Sequence, residues 1–173
     1  MVIANYMAEY TDLDQVWFVV SPHNPLKDKS KLIEASDRLK MVKEAISNDP
    51  RFQVSDVEFH LPLPSYTIDT FLTLGNEFPE HTFVLVMGSD GLVDFDLWKN
   101  FNSLMSRYQR YVYPRPETPE DTIKNAPNIK LVKAPLMDIS STFIRKAMLD
   151  GKDMRHFLPE KVWEYIMRKG LYK

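Results

Sequence analysis

Cysteine is absent from these 173 residues. That excludes disulfides, thiol nucleophiles and Cys-ligated zinc, and it fits a reducing cytosol. An excess of either charge is also missing. With a net charge of -2 no basic field argues for nucleic acid, so an anionic ligand must be held by local groups. Long apolar runs are lacking too: Val16–Val20 and Phe83–Met87 are far too short to span a bilayer. Met1-Val2-Ile3-Ala4-Asn5 carries no positive n-region, and Glu9 and Asp12 follow quickly, so no secretory signal is read. His60, His81 and His156 show no metal-ligand spacing and read as structural or surface residues. There are no repeats and no low-complexity segments. What is present is a chain 44% hydrophobic, enough for one domain over residues 1–173 with a real core. The expectation is a cytoplasmic protein with neither a membrane nor a nucleic-acid partner.

The pattern along the chain alternates between strand and helix. Met1–Met7 reads as the middle of an amphipathic helix with Val2, Ile3, Tyr6 and Met7 on one side. Gln15–Val20 is apolar throughout, as a strand covered on both faces should be. After a loop over Ser21–Lys29, Leu32–Ile46 is helical, with Leu39, Val42, Ala45 and Ile46 on one stripe. Phe52–Val54 reads as the second strand. Ser65 reads as the N-cap of a helix over Tyr66–Phe78. Thr82–Met87, Tyr108–Tyr113 and Ile129–Val132 read as further strands. Short helical pieces fill Leu92–Met105, and Pro114–Pro127 is a polar surface loop. Pro159 begins a last helix, Val162–Arg168, that Gly170 ends. Such alternation predicts an α/β fold, a Rossmann-like doubly wound parallel sheet with helices on both faces. Ligands then bind outside the carboxyl ends of the strands. Three unusual loops follow strands and so share that rim: Ser21–Lys29, Gly88–Gly91 and Pro135–Ser141.

Ile139-Ser140-Ser141-Thr142-Phe143-Ile144-Arg145 opens a helix after the last strand. The first N–H groups of a helix have no internal acceptor, and its macrodipole adds partial positive charge there. Arg145 follows Ser141 by four residues and Thr142 by three, so it can share their face and offer a planar fork to phosphate. The plainer alternative is a capping serine beside a surface arginine. Gly88-Ser89-Asp90 ends a buried strand, where glycine admits a ligand and a carboxylate could accept from ribose hydroxyls. An ordinary turn with Asp90 capping the next helix is the reading the residues alone favour. The helix start at Tyr66-Thr67-Ile68 could hold a carboxylate and Trp98 could stack on a flat ring, or they are a capped helix and a core indole. Lys27, Lys29 and Lys31 form either a solvated face or, Lys27 first, a phosphate clamp.

I-S-S-T-x-I-R resembles the C-terminal signature of the nucleotidylyltransferase superfamily. V-M-G-S-D and P-S-Y-T-x-x-T followed by a Trp resemble the G-x-D step and the nicotinate-recognition pattern of bacterial nicotinate mononucleotide adenylyltransferases. The likeness extends from Ala4-Asn5-Tyr6 to Gly170-Leu171-Tyr172. It implies adenylyl transfer from ATP to nicotinate mononucleotide, giving deamido-NAD and pyrophosphate, with Mg²⁺ carried by the ATP phosphates. It implies ATP binding by Gly88, Asp90, Ile139, Ser140, Ser141, Thr142 and Arg145. Asn24, Lys27, Tyr66, Thr67, Ile68 and Trp98 would bind the mononucleotide, and Thr142, Arg145 and Lys27 would assist catalysis. The family's first loop reads roughly P-x-x-P-P-H-K; here it is S-P-H-N-P-L-K, with His23 displaced. Phosphopantetheine adenylyltransferase shares a similar Ser/Thr…Arg signature, and a non-catalytic nucleotide-binding module is the rival of another class. A homo-oligomer is compatible with either.

The family also carries a first strand and an H-x-G-H or T-x-G-H segment whose histidines bond the ATP α-phosphate. No such tetrad occurs in this sequence. A central strand burying five or so apolar side chains contributes about 1.5–3 kcal/mol for each, against a whole-domain stability of about 5–15 kcal/mol. The expectation is a sheet lacking its first strand, with an open slot, in a chain whose recorded start is internal and whose turnover is feeble until the segment is restored.

Overall fold

The structure is a computed structural model and describes residues 1–23, 33–116, 118 and 128–173. Five parallel strands lie among the described residues: β1 (Val16–Val19), β2 (Phe52–Ser55), β3 (Leu85–Gly88), β4 (Arg110–Tyr113) and β5 (Ile129–Leu131). Six α-helices accompany them among the described residues: α1 (Val2–Tyr10), α2 (Ala35–Ile46), α3 (Thr67–Glu77), α4 (Phe101–Arg107), α5 (Ser141–Leu149) and α6 (Glu160–Lys169). Short 3₁₀ turns follow β2 and β3.

The sheet is interrupted. β1 pairs with β2 and β3 pairs with β4, which pairs with β5, all in parallel; no ladder joins the two groups among the described residues. Both groups nevertheless share one core, in which Val16, Phe52, Tyr111 and Val132 are buried with Ala4 and Met7 of α1. Trp17 on β1 meets Phe83, just before β3, edge-on at 5.4 Å. The break agrees with a doubly wound sheet lacking its first strand. It also corrects the reading of β1 as a strand covered on both faces. Only Val16 is buried within β1, and Trp17, Phe18 and Val19 are partly exposed, because among the described residues no strand lies beside one of its edges.

That edge makes a prediction. Val16 and Val20 donate to Arg51 and Ser55 of the β2 side at 2.9 and 3.1 Å, and Leu85 donates to Gln109 at 2.9 Å. Alternate residues of a parallel strand point their amides to the opposite edge. The Trp17, Val19 and Val86 amides should therefore exchange about a hundredfold faster than those of Val16, Val20 and Leu85. Native-state hydrogen exchange by NMR reads this directly, and equal protection on both edges would show that the break is closed in solution.

The helices form for local reasons, with some differences from the pattern. In α1 the buried residues are Ala4 and Met7, while Val2 is 51% exposed, so the packed stripe is rotated by about one position. Gly170 ends α6 with φ 66°, the left-handed conformation that suits glycine. α6 buries Val162, Tyr165 and Ile166, and packs with Met148 of α5 and Met154. The α1–β1 turn is tied to the second group of strands: Asp12 accepts from Lys130 Nζ at 2.6 Å and from the Tyr111 hydroxyl at 2.7 Å. These bonds hold the Asp12 carboxyl down at about 2. Arg110 enters the core at 1% exposure with its guanidinium 4.9 Å from the Phe95 ring.

Candidate functional site

The start of α5 is where the sequence pattern is most literal. Ser140 is the N-cap, and its hydroxyl accepts from the Phe143 N–H at 3.1 Å. The Ser141 and Thr142 N–H groups precede that bond and point out of the helix start, where partial positive charge accumulates. Arg145 donates from a terminal nitrogen to the Thr142 hydroxyl at 3.1 Å, so the two side chains do share a face. Ser141 and Thr142 are exposed and Arg145 is half-buried. Ile139, 40% exposed, stands just before the cap.

The β3 turn lies beside it. Gly88 is buried at the end of β3, and a methyl group in its place would stand 2.3 Å from Asp90 Oδ1 and 2.8 Å from Arg115 Cγ. Its φ of -73° is open to any residue, so the glycine is required by what crosses it and not by the backbone. Asp90 is exposed, 3.9 Å from the Arg115 Nε. Ser89, 1% exposed, accepts from the Arg115 backbone N–H at 2.9 Å. Arg115 also donates to the Met137 carbonyl at 3.1 Å, which joins the β3 turn to the segment leading into α5. Sequence reasoning missed Arg115. It stands two residues beyond β4, and the rule that loops after strands share a rim would have found it had the fourth such loop been included.

The second group of residues surrounds the start of α3. Ser65 is not the cap: its hydroxyl is drawn to the Glu58 carboxyl at 2.6 Å, and the N-cap position falls to Tyr66, whose side chain makes no capping bond. The Asp69 and Thr70 N–H groups bond the Tyr66 carbonyl at 3.0 and 3.1 Å, which leaves the Thr67 and Ile68 N–H groups as the outward donors. Ile68 is 3% exposed, so only its backbone can meet a ligand. Trp98 is partly exposed and packs its indole on Phe95 at 5.1 Å. The next residue, Lys99, holds Asp69 at 2.8 Å and lies 4.5 Å from the centre of the Tyr66 ring, which brings the Trp98 segment to the α3 start.

Arg38 ties the loop after β1 to the second group. It donates to the Ser21 and Pro22 carbonyls at 2.5 and 2.9 Å, and Ser21 Oγ is 3.2 Å from Ser65 Oγ. Burial raises the Tyr172 hydroxyl while Arg145 and Arg38 pull it back, so both guanidiniums are electrostatic neighbours of one C-terminal ring. Asn24 and Lys27 lie outside the described residues, as do Lys29 and Lys31. His60, His81 and His156 are exposed. A cleft of about 470 Å³ against the β1–β2 face, lined by Trp17, Gln53, His60, Phe78 and His81, contains none of the expected ATP- or mononucleotide-binding residues.

A parallel, doubly wound sheet with open helix starts beyond the carboxyl ends of β2 and β5 defines a nucleotide-binding Rossmann-like domain. Comparisons with known proteins narrow this. Residues 1–147 match the cytidylyltransferase-like family model. A Flavobacterium johnsoniae protein named "Probable nicotinate-nucleotide adenylyltransferase" is 46% identical, over 100% of this chain and 91% of its own length. A Cytophaga hutchinsonii protein of the same name is 44% identical, over 99% of this chain and 90% of its own. The chain thus belongs to the cytidylyltransferase-like family and, within it, to the nicotinate-nucleotide adenylyltransferases. Among solved structures, the Plasmodium falciparum nicotinic acid mononucleotide adenylyltransferase complexed with NaAD superposes with a TM-score of 0.81 at 22% identity, over 98% of this chain and 88% of that one. That likeness is one of fold.

Proposed function

We propose that this chain transfers the adenylyl group of ATP to nicotinate mononucleotide, giving deamido-NAD and pyrophosphate. Family membership names the reaction class. The observation that supports a working site is the double set of open helix starts, one at Ser141-Thr142 and one at Thr67-Ile68. Among the anionic groups to be held are a triphosphate and a nicotinate carboxylate, and each set of N–H groups suits one of them.

In this reading a phosphate oxygen of the mononucleotide attacks the ATP α-phosphorus, and the bond to the bridging oxygen of the leaving pyrophosphate breaks. The protein forms no covalent intermediate, so positioning and charge stabilisation do the work. Arg145, Thr142 and the Ser140–Ser141 backbone face the growing negative charge of the leaving group. Gly88 and Asp90, with Ile139, border the nucleoside. Tyr66, Thr67, Ile68 and Trp98 take the pyridine end, and Asn24 and Lys27 the mononucleotide phosphate. ATP enters as its Mg²⁺ complex, the ion carried by phosphate oxygens and water. We place the reaction in the cytoplasm and assign it to a single domain over residues 1–173. The described residues contain no helix long and apolar enough to cross a membrane.

Pyrophosphate release tests the reading. Release is expected with ATP plus nicotinate mononucleotide and absent with either alone. Faster release with phosphopantetheine would move the chain to the neighbouring adenylyltransferases, and ATP binding with no release from any acceptor would make it a binding module.

A further inference from the structure

Glu58 lies in the turn after β2 and is 8% exposed, a costly place for a carboxyl group unless its oxygens are hydrogen-bonded. Both are. Ser65 Oγ donates to Oε2 at 2.6 Å and Thr70 Oγ1 donates to Oε1 at 2.7 Å. Ser65 and Thr70 are themselves 5% and 4% exposed. They bracket the Tyr66-Thr67-Ile68-Asp69 turn, so one side chain pins the first turn of α3 from both ends. The same Ser65 hydroxyl meets Ser21 of the loop after β1, whose backbone is gripped by Arg38 of α2.

A serine placed before a helix ordinarily caps it. Here Ser65 serves Glu58 instead, and no side chain caps α3. The outcome is a helix start whose Thr67 and Ile68 N–H groups are held in a fixed direction and left uncovered. We infer that Glu58 is a positioning residue for nicotinate recognition: it orients the α3 donors toward the carboxylate of the pyridine ring and ties them to the loop after β1. The inference rests on the proposed function and deepens it. Glu58 itself touches no substrate.

The nicotinamide mononucleotide, which has the same phosphate and sugar but no ring carboxylate, isolates the effect. Calorimetric titration should show that Glu58→Ala weakens nicotinate mononucleotide about tenfold, while nicotinamide mononucleotide and ATP change by less than about twofold. Glu58→Gln should recover most of the loss, because hydroxyls can accept from its amide as well as donate to its oxygen. Should Glu58→Ala not fold, Thr70→Val removes one of the two hydroxyls at nearly constant shape and is expected to give the same selective loss, about threefold. Equal weakening of all three ligands would make Glu58 a general structural clamp and overturn the inference, as would no weakening at all. A parent protein that binds neither mononucleotide removes the proposed function first, and this inference with it.

Discussion

Replacing Arg145 by alanine is expected to slow pyrophosphate release by about 10²–10³-fold, the usual cost of losing one preorganised group that faces charge developing in a transition state. Arg145 is half-buried, and its hydrogen bond among the described residues goes to the exposed Thr142 hydroxyl. Its removal therefore opens no core cavity, and stability should move by no more than about 0.5 kcal/mol. That separation of effects makes the experiment sharp, since a large kinetic loss cannot be blamed on unfolding. Arg145→Lys keeps the charge but loses the planar fork, so it should recover only part of the rate. Thr142→Ala in the Arg145→Ala background should add little, because the two groups act as one unit at the leaving phosphate. A loss of under about threefold would leave Arg145 as a surface residue beside a capping serine, the plainer of the two readings the sequence allows.

The legibility of this chain follows from where its information is local. The order of strands and helices was readable because apolar runs and turn residues alternate cleanly, and the α5 start was readable because capping chemistry is written in consecutive residues. Ser140 caps, and Arg145 shares a face with Thr142, as the spacing allowed. The interrupted sheet was an expectation from the resemblance, and among the described residues β1 and β3 stand in separate ladders around one core. Reading failed where a side chain had a choice of partners. Ser65 has cap spacing, yet its hydroxyl goes to Glu58, seven residues back, because a buried carboxyl group needs a protein donor whereas the N–H donors of an exposed helix start can bond water. Nothing in the run V-E-F-H signals that Glu58 points inward. Arg115 was missed for a related reason: its partners Ser89 and Met137 are 26 and 22 residues away. For the Tyr66-Thr67-Ile68 helix start spacing left two readings open, a carboxylate holder or a capped helix, and no side chain caps it.

Gly88→Ala should produce the other large effect, confined to ATP. With φ -73° and ψ 154° the backbone accepts alanine without strain, so the fold and its melting behaviour should persist. The new methyl group must instead displace what crosses the glycine. Asp90 can swing away cheaply, since its carboxylate is the exposed end of a flexible side chain. Arg115 cannot, because its Cγ and Cδ would lie 2.8 and 3.3 Å from the methyl carbon while its ends are fixed at Ser89 and Met137. Moving it shifts the segment that leads into the α5 start. ATP affinity is expected to fall about tenfold or more, with nicotinate mononucleotide affinity unchanged within about twofold. Arg115→Ala supplies the decisive comparison. If the methyl group acts by pushing on Arg115, then Gly88→Ala should cost less in that background than alone, and the coupling is read from a double-mutant cycle on ATP binding. Additive losses would instead mean that Gly88 is needed for the approach of the nucleotide to the β3 backbone, with Arg115 contributing separately.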